Sequence, residues 1–199
     1  GGIPPVSVAV GVIIGLGAVF AYFLVFSGRV TAELAVQAHL DPLTELLNRR
    51  GFEERAKQEL QRAARSGAPV SLLMVDANEF KSINDNWGHA AGDKALCGIA
   101  SGLRAHLRPY DLVARLGGDE FVALLPGTDS RAAAALAPRL REAIARQPTD
   151  HGGRLDVSIG IANLEGQALQ SGPGSEEAAL RRLLAEADGA LYGVKRTRY

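Results

Sequence analysis

The placement of charge constrains this chain more than any other feature. None of its 22 basic and 22 acidic residues falls within positions 1–28, and Arg29 is the first. Inside that stretch Val6 to Phe26 is apolar except for Ser7. At a rise of about 1.5 Å per residue, such a run spans roughly 30 Å, the hydrocarbon thickness of a bilayer. A soluble helix would keep a polar stripe along one side. A cleaved secretory leader would show a basic start and a small-residue cleavage site behind a shorter apolar core. The sequence therefore predicts a transmembrane helix in residues 1–28, crossing the membrane over 6–26. Arg29 directly behind it, with Arg49, Arg50 and Arg55 further on, places the C-terminal side in the cytoplasm. The expected location is the inner (cytoplasmic) membrane, with this helix the last of a longer membrane region.

Residues 29–40 bring Val30, Leu34 and Leu40 to helical spacing, which predicts a helical linker able to pair with a twin. The remaining segment, 41–199, is the right length for one domain. Equal numbers of basic and acidic residues argue against bulk electrostatic binding of nucleic acid. The single cysteine, Cys97, excludes an internal disulfide and any zinc-type cysteine cluster.

Hydrophobic periodicity predicts helices over Phe52 to Ala64, Gly92 to Leu107, Asp129 to Arg146 (with a kink at Pro138) and Glu176 to Lys195. Short apolar runs predict strands at Pro69 to Val75, Leu112 to Leu116, Phe121 to Leu125 and Leu155 to Ala162, the middle two joined as a hairpin across Gly117-Gly118. Gly166 to Ser175 reads as a surface loop. The expected architecture is an α/β (α+β) domain with a mixed central sheet flanked by helices.

Two acidic clusters carry the chemistry. Asp76 closes the first strand, and Asp119 and Glu120 sit on the glycine turn of the hairpin. A strand-end Asp facing a turn that a ligand can approach closely is the arrangement a Mg²⁺ site for phosphate chemistry requires, with few carboxylates and open positions for phosphate oxygens.

Five ordered segments resemble one family. They are Asp41 to Arg50, Asp76 to Asp93, Gly117-Gly118-Asp119-Glu120-Phe121, Val157 to Ala162, and Ala190 to Lys195. Together they resemble the GGDEF-domain diguanylate cyclases over Asp41 to Lys195. The resemblance implies condensation of two GTP into cyclic di-GMP by a homodimer, with Mg²⁺ (or Mn²⁺) as cofactor. It implies Asp76, the Ala77 carbonyl, Asp119 and Glu120 as metal ligands, and Asp119 or Glu120 as proton acceptor. Lys81 would stabilise the transition state, Phe80 and Lys195 would contact phosphate, and Asn84, His89 and Asp93 would serve the guanine. It further implies a product-binding inhibitory site at Arg108 and Asp111, supported by Arg139. Two positions depart from the family's pattern: Asn78 stands where many members carry a second Asp, and Tyr199 where a phosphate-binding Arg is usual. The alternative expectation is a degenerate domain that binds GTP or cyclic di-GMP as a receptor or scaffold.

Overall fold

The computed structural model of the chain describes residues 39–149, 152–165 and 174–197. The expected membrane span, the linker up to residue 38, most of the 166–175 loop and Tyr199 lie outside the described residues. Among the described residues no helix is long and apolar enough to cross a membrane.

The elements run α1 (Arg49–Ser66), β1 (Val70–Ala77), α2 (Phe80–Trp87), α3 (His89–His106), β2 (Leu112–Gly117), β3 (Glu120–Pro126), α4 (Ser130–Ala145), β4 (Val157–Leu164) and α5 (Ser175–Arg196). The four strands form one sheet in the order β2-β3-β1-β4. Every neighbouring pair is antiparallel, so the expected mixed sheet is corrected. The reason is topological. β1 and β2 run the same way, but the hairpin returns β3 into the gap between them, and β4 then takes the free side of β1.

β1 is consequently central and buried on both faces, which its unbroken apolar run demanded. On one face Leu73, Val75, Phe121 and Ile159 pack with Leu96, Ile99 and Leu103 of α3 and Leu140 of α4. On the other, Leu72, Met74, Val122 and Leu124 pack with Phe52 and Leu60 of α1 and Leu183 and Leu191 of α5. Each fully buried side chain of this kind contributes about 1.5–3 kcal/mol of transfer free energy. Gly160 lets α5 lie close on β4: a Cβ there would run into the Ala187 carbonyl and the Leu191 amide. That close approach fixes the end of α5 over the sheet.

Local chemistry sets the element ends. The Asn48 side chain accepts the Gly51 N–H at 2.9 Å and caps α1. Asp129 accepts the Ala132 N–H at 2.7 Å and caps α4, which continues unbroken through Pro138. Leu40, expected as the last residue of a helical linker, instead forms an isolated antiparallel bridge with Leu47. α2 is the element that periodicity did not show, because none of its residues is buried.

Candidate active site

The site lies where the C-terminal end of β1 meets the β2–β3 turn. Asp76 stands opposite Glu120 on one side and Ser158 on the other. Beyond it the Ala77 N–H donates to the Asp119 carbonyl at 3.2 Å. The turn needs its glycines, since Gly117 has φ 151° and Gly118 φ 52°. Its Gly118 carbonyl is gripped by Arg115, whose Nε and Nη2 donate to it at 3.0 and 2.8 Å. The same guanidinium pairs with Asp41 at 3.3 Å. Asp41 also accepts from the Thr44 hydroxyl at 2.7 Å and the Thr44 N–H at 2.9 Å. Burial pushes the Asp41 carboxyl up, but Thr44 and Arg115 outweigh it and hold the group below the usual carboxylate range.

A cleft of about 700 Å³ opens beside Asp76 and Asp119, bounded by Phe80 and Lys81 of α2, by Trp87, and by Lys195 of α5. Asp76 is largely buried, and burial raises its pKa above the ordinary value; Lys195 opposes the shift and the Asp119 charge adds to it. Asp76 and Asp119 therefore lie close enough on the cleft wall for the charge of one to be felt by the other. Lys195 pairs with the first of them, its Nζ 2.7 Å from Asp76 Oδ1. Lys195 thus contacts the acidic end in this structure, where the resemblance placed it on phosphate. Glu120 stands exposed beside this group.

Among the described residues no three His, Cys, Asp or Glu side chains form a complete metal-binding group. Two carboxylates and a carbonyl still suit Mg²⁺, which is usually held by one or two carboxylates plus substrate phosphates and water. The donor set fits that cation.

The chain leaves β1 through Glu79, a non-glycine residue in the left-handed region at φ 55° and ψ 24°. This sharp turn aims the start of α2 at the cleft. The first N–H groups of a helix have no intrahelical acceptor and favour an anion. Further along α2, Asn84 Oδ1 is buried with no hydrogen-bond partner. It lies against Gly92 of α3, where a Cβ would overlap it. His89 and Asp93 stand exposed on the first turns of α3, and Asp93 lies inside the helix, past its Gly88 cap. An unpaired buried acceptor with an exposed carboxylate nearby matches a planar base offering N–H donors along one edge.

Arg108 and Asp111 share one tight turn before β2. The Arg108 N–H donates to Asp111 Oδ2 at 2.7 Å, and the guanidinium lies over the Tyr110 ring at 5.8 Å. Asp111 Oδ1 is buried without a partner, and burial raises this carboxyl. Arg139 is exposed on α4, which packs against α3.

Sequence reasoning missed Arg115, Gly92 and Asp156 as members of the site. Arg115 directly precedes Leu116 and the turn, but its Asp41 partner is 74 positions away. Asp156 is 78 positions from the Asn78 it bonds. Gly92 acts only through the side chain it leaves room for.

Comparison with known proteins now decides the family. The domain described as "Diguanylate cyclase, GGDEF domain" matches residues 38–199. The chain belongs to the GGDEF family. It is 45% identical over 163 residues to the diguanylate cyclase DgcP of Pseudomonas aeruginosa, covering 80% of this chain and 23% of that protein. Against the GGDEF-only structure of TpbB (YfiN) from Pseudomonas aeruginosa it gives a TM-score of 0.68 at 38% identity, covering 80% of this chain and 90% of the other. Against the GGDEF domain of DgcB from Caulobacter crescentus in complex with c-di-GMP the TM-score is 0.69 at 28% identity, covering 80% and 89%. The chain thus spans about a quarter of the length of DgcP. The antiparallel sheet with helices on both faces is the GGDEF fold.

Proposed function

We propose that this domain is a diguanylate cyclase that joins two GTP into cyclic di-GMP. The 3′-oxygen of each GTP attacks the α-phosphorus of the other; each α–β bridging bond breaks, and two pyrophosphates leave. The observation that carries this reading is the Asp76–Asp119 pair facing the cleft beside Lys195 and the start of α2. A divalent cation, Mg²⁺ or Mn²⁺, bound by Asp76, the Ala77 carbonyl and Asp119 would neutralise triphosphate charge and acidify the attacking hydroxyl. Lys81 and the first N–H groups of α2 hold phosphate oxygens, and Asp119 (or Glu120) accepts the hydroxyl proton. Asn84 accepts from the guanine amino group, while Asp93 accepts from N1–H and the amino group. Adenine lacks those donors on that edge.

Each domain holds one GTP, so catalysis requires a homodimer in which two sites face. Residues 6–26 anchor the chain in the inner membrane with the domain in the cytoplasm. The Arg108–Asp111 turn with Arg139 binds product and slows the enzyme; what supports this is the Asp111 acceptor buried without a partner beside the Arg108 guanidinium. Arg108→Ala should keep catalysis and lose inhibition by added cyclic di-GMP. Incubating the purified chain with GTP and Mg²⁺ and weighing the products tests the reaction. Cyclic di-GMP is expected; GTP binding without product would instead make the domain a receptor.

A further inference from the structure

β1 ends at Ala77 and the chain turns at Glu79, so Asn78 is the last residue holding the strand end in place. Its N–H donates to the Asp156 carbonyl at 2.9 Å. Its Nδ2 donates to the Asp156 carboxylate at 2.9 Å, and its Oδ1 accepts from the Ser158 hydroxyl at 2.8 Å. Asp156 pairs in turn with Arg141 of α4 at 3.4 Å. These bonds continue the β1–β4 ladder one residue past its last rung, Ala77 opposite Val157. On the other side, the Ala77 N–H is tied to the Asp119 carbonyl. The strand end is therefore fastened left and right, immediately beyond the Asp76 carboxylate and the Ala77 carbonyl.

We infer that Asn78, through Asp156 and Ser158, is the positioning residue that sets Asp76 and the Ala77 carbonyl against Asp119. This rests on the reading of those groups as the metal end of the site. The polarity is chemically fixed. An ionised Asp156 only accepts, so position 78 must supply the proton there while also accepting from Ser158, and an amide does both. A carboxylate at 78 would oppose the Asp156 carboxylate where a hydrogen bond now stands. Reversing both residues restores the pattern, because an Asp at 78 then accepts from an Asn at 156 and from Ser158. Losing the exposed Arg141 pair in that exchange matters little.

The test compares Asn78→Asp, Asp156→Asn and the double exchange by steady-state kinetics and by hydrogen exchange at residues 77–78. Asn78→Asp is expected to lose about tenfold to a hundredfold in kcat, as usual for groups that orient ligand-bearing residues. Its KM for GTP stays within about threefold, because the base-binding residues are untouched, and amide exchange at the strand end speeds up. The double exchange is expected to return kcat and exchange to within about threefold of the starting protein. Wild-type kcat in Asn78→Asp, or a double variant no better than the single, overturns the inference. If Asn78→Asp does not fold, Asp156→Ala takes its place: lowered kcat with KM kept supports the clamp, and unchanged kcat refutes it. Hydrogen exchange needs no turnover. A parent protein that makes no cyclic di-GMP would therefore sink the proposed reaction, while the exchange data still judge the clamp.

Discussion

The two ends of the cleft are built on different principles. At the acidic end, Asp76, Ala77, Asn78 and the Gly117–Gly118 turn sit on neighbouring strands, and each is tied by hydrogen bonds to β4, to Arg115 or to Lys195. At the far end, Asn84, His89 and Asp93 sit on two helices joined at Gly88, with one buried acceptor unpaired and two side chains exposed. The first end is tied down by the fold itself, whereas the second leaves its polar groups unspent. On the proposed function, the chemistry that must hold a metal and a phosphorus within tight tolerances falls to the strands, and base recognition, which tolerates adjustment, to the helices.

The comparison is broken most decisively at the acidic end. Asp76→Ala or Asp119→Ala is expected to lower kcat by about 10²–10³-fold or more with the circular dichroism spectrum unchanged. Near-normal cyclic di-GMP output from either would end the assignment. At the helical end the response should shift from rate to binding. Asp93→Ala is expected to raise KM for GTP by about tenfold and narrow the preference over ATP, since an unmet guanine donor costs about 1–3 kcal/mol. A kcat collapse with KM intact would mean the two ends do not divide the work as described. A gentler probe is Gly92→Ala, which adds only a methyl but drives it into Asn84 Oδ1. KM for GTP should rise severalfold while kcat moves little, as read by initial rates across GTP concentration.

The smallest effects are in stability, and here two acidic residues should behave oppositely. Asp41 has a lowered pKa, so its stabilising contribution is full above the unfolded carboxylate value, near 3.8, and fades as pH falls through the lowered folded value. Asp41→Asn should therefore melt earlier at neutral pH and flatten the acid side of the stability profile. Asp76 has a raised pKa, so its contribution is full below the unfolded value and is lost as pH rises through the raised one. Asp76→Asn should melt later than the parent at pH 7 while being inactive. Thermal melts from pH 3 to 8 check both, and Tm changes of the same sign at neutral pH would refute the pairing.

What was legible in the sequence follows the same division. The strands and long helices announce themselves because β1 is apolar throughout and α3 repeats Ala95, Leu96, Ile99 and Leu103 on its buried face. The acidic cluster was readable because Asp76 ends an apolar run and Asp119 follows two glycines. α2 was hidden, since a short helix that lays only Phe80 and Ile83 partly against the core offers too few apolar positions to show a repeat, and it lines a cleft with the rest. The antiparallel sheet was hidden too, because alternation of elements does not say that the hairpin inserts β3 between β1 and β2. Arg115 and Asp156 were illegible for a simpler reason: their partners are brought to them only by the finished fold.

Arg115 has one further consequence. Its guanidinium is a rigid plate with Asp41, near the start of the domain, on one edge and the Gly118 carbonyl on the other. A plate cannot stretch, so Asp41 cannot shift far without either breaking its own ion pair or carrying the Gly118 peptide, and Asp119 beside it, along the same path. Asp41 and the glycine turn, more than 74 positions apart in the chain, are thereby fastened to one rigid side chain and share its placement.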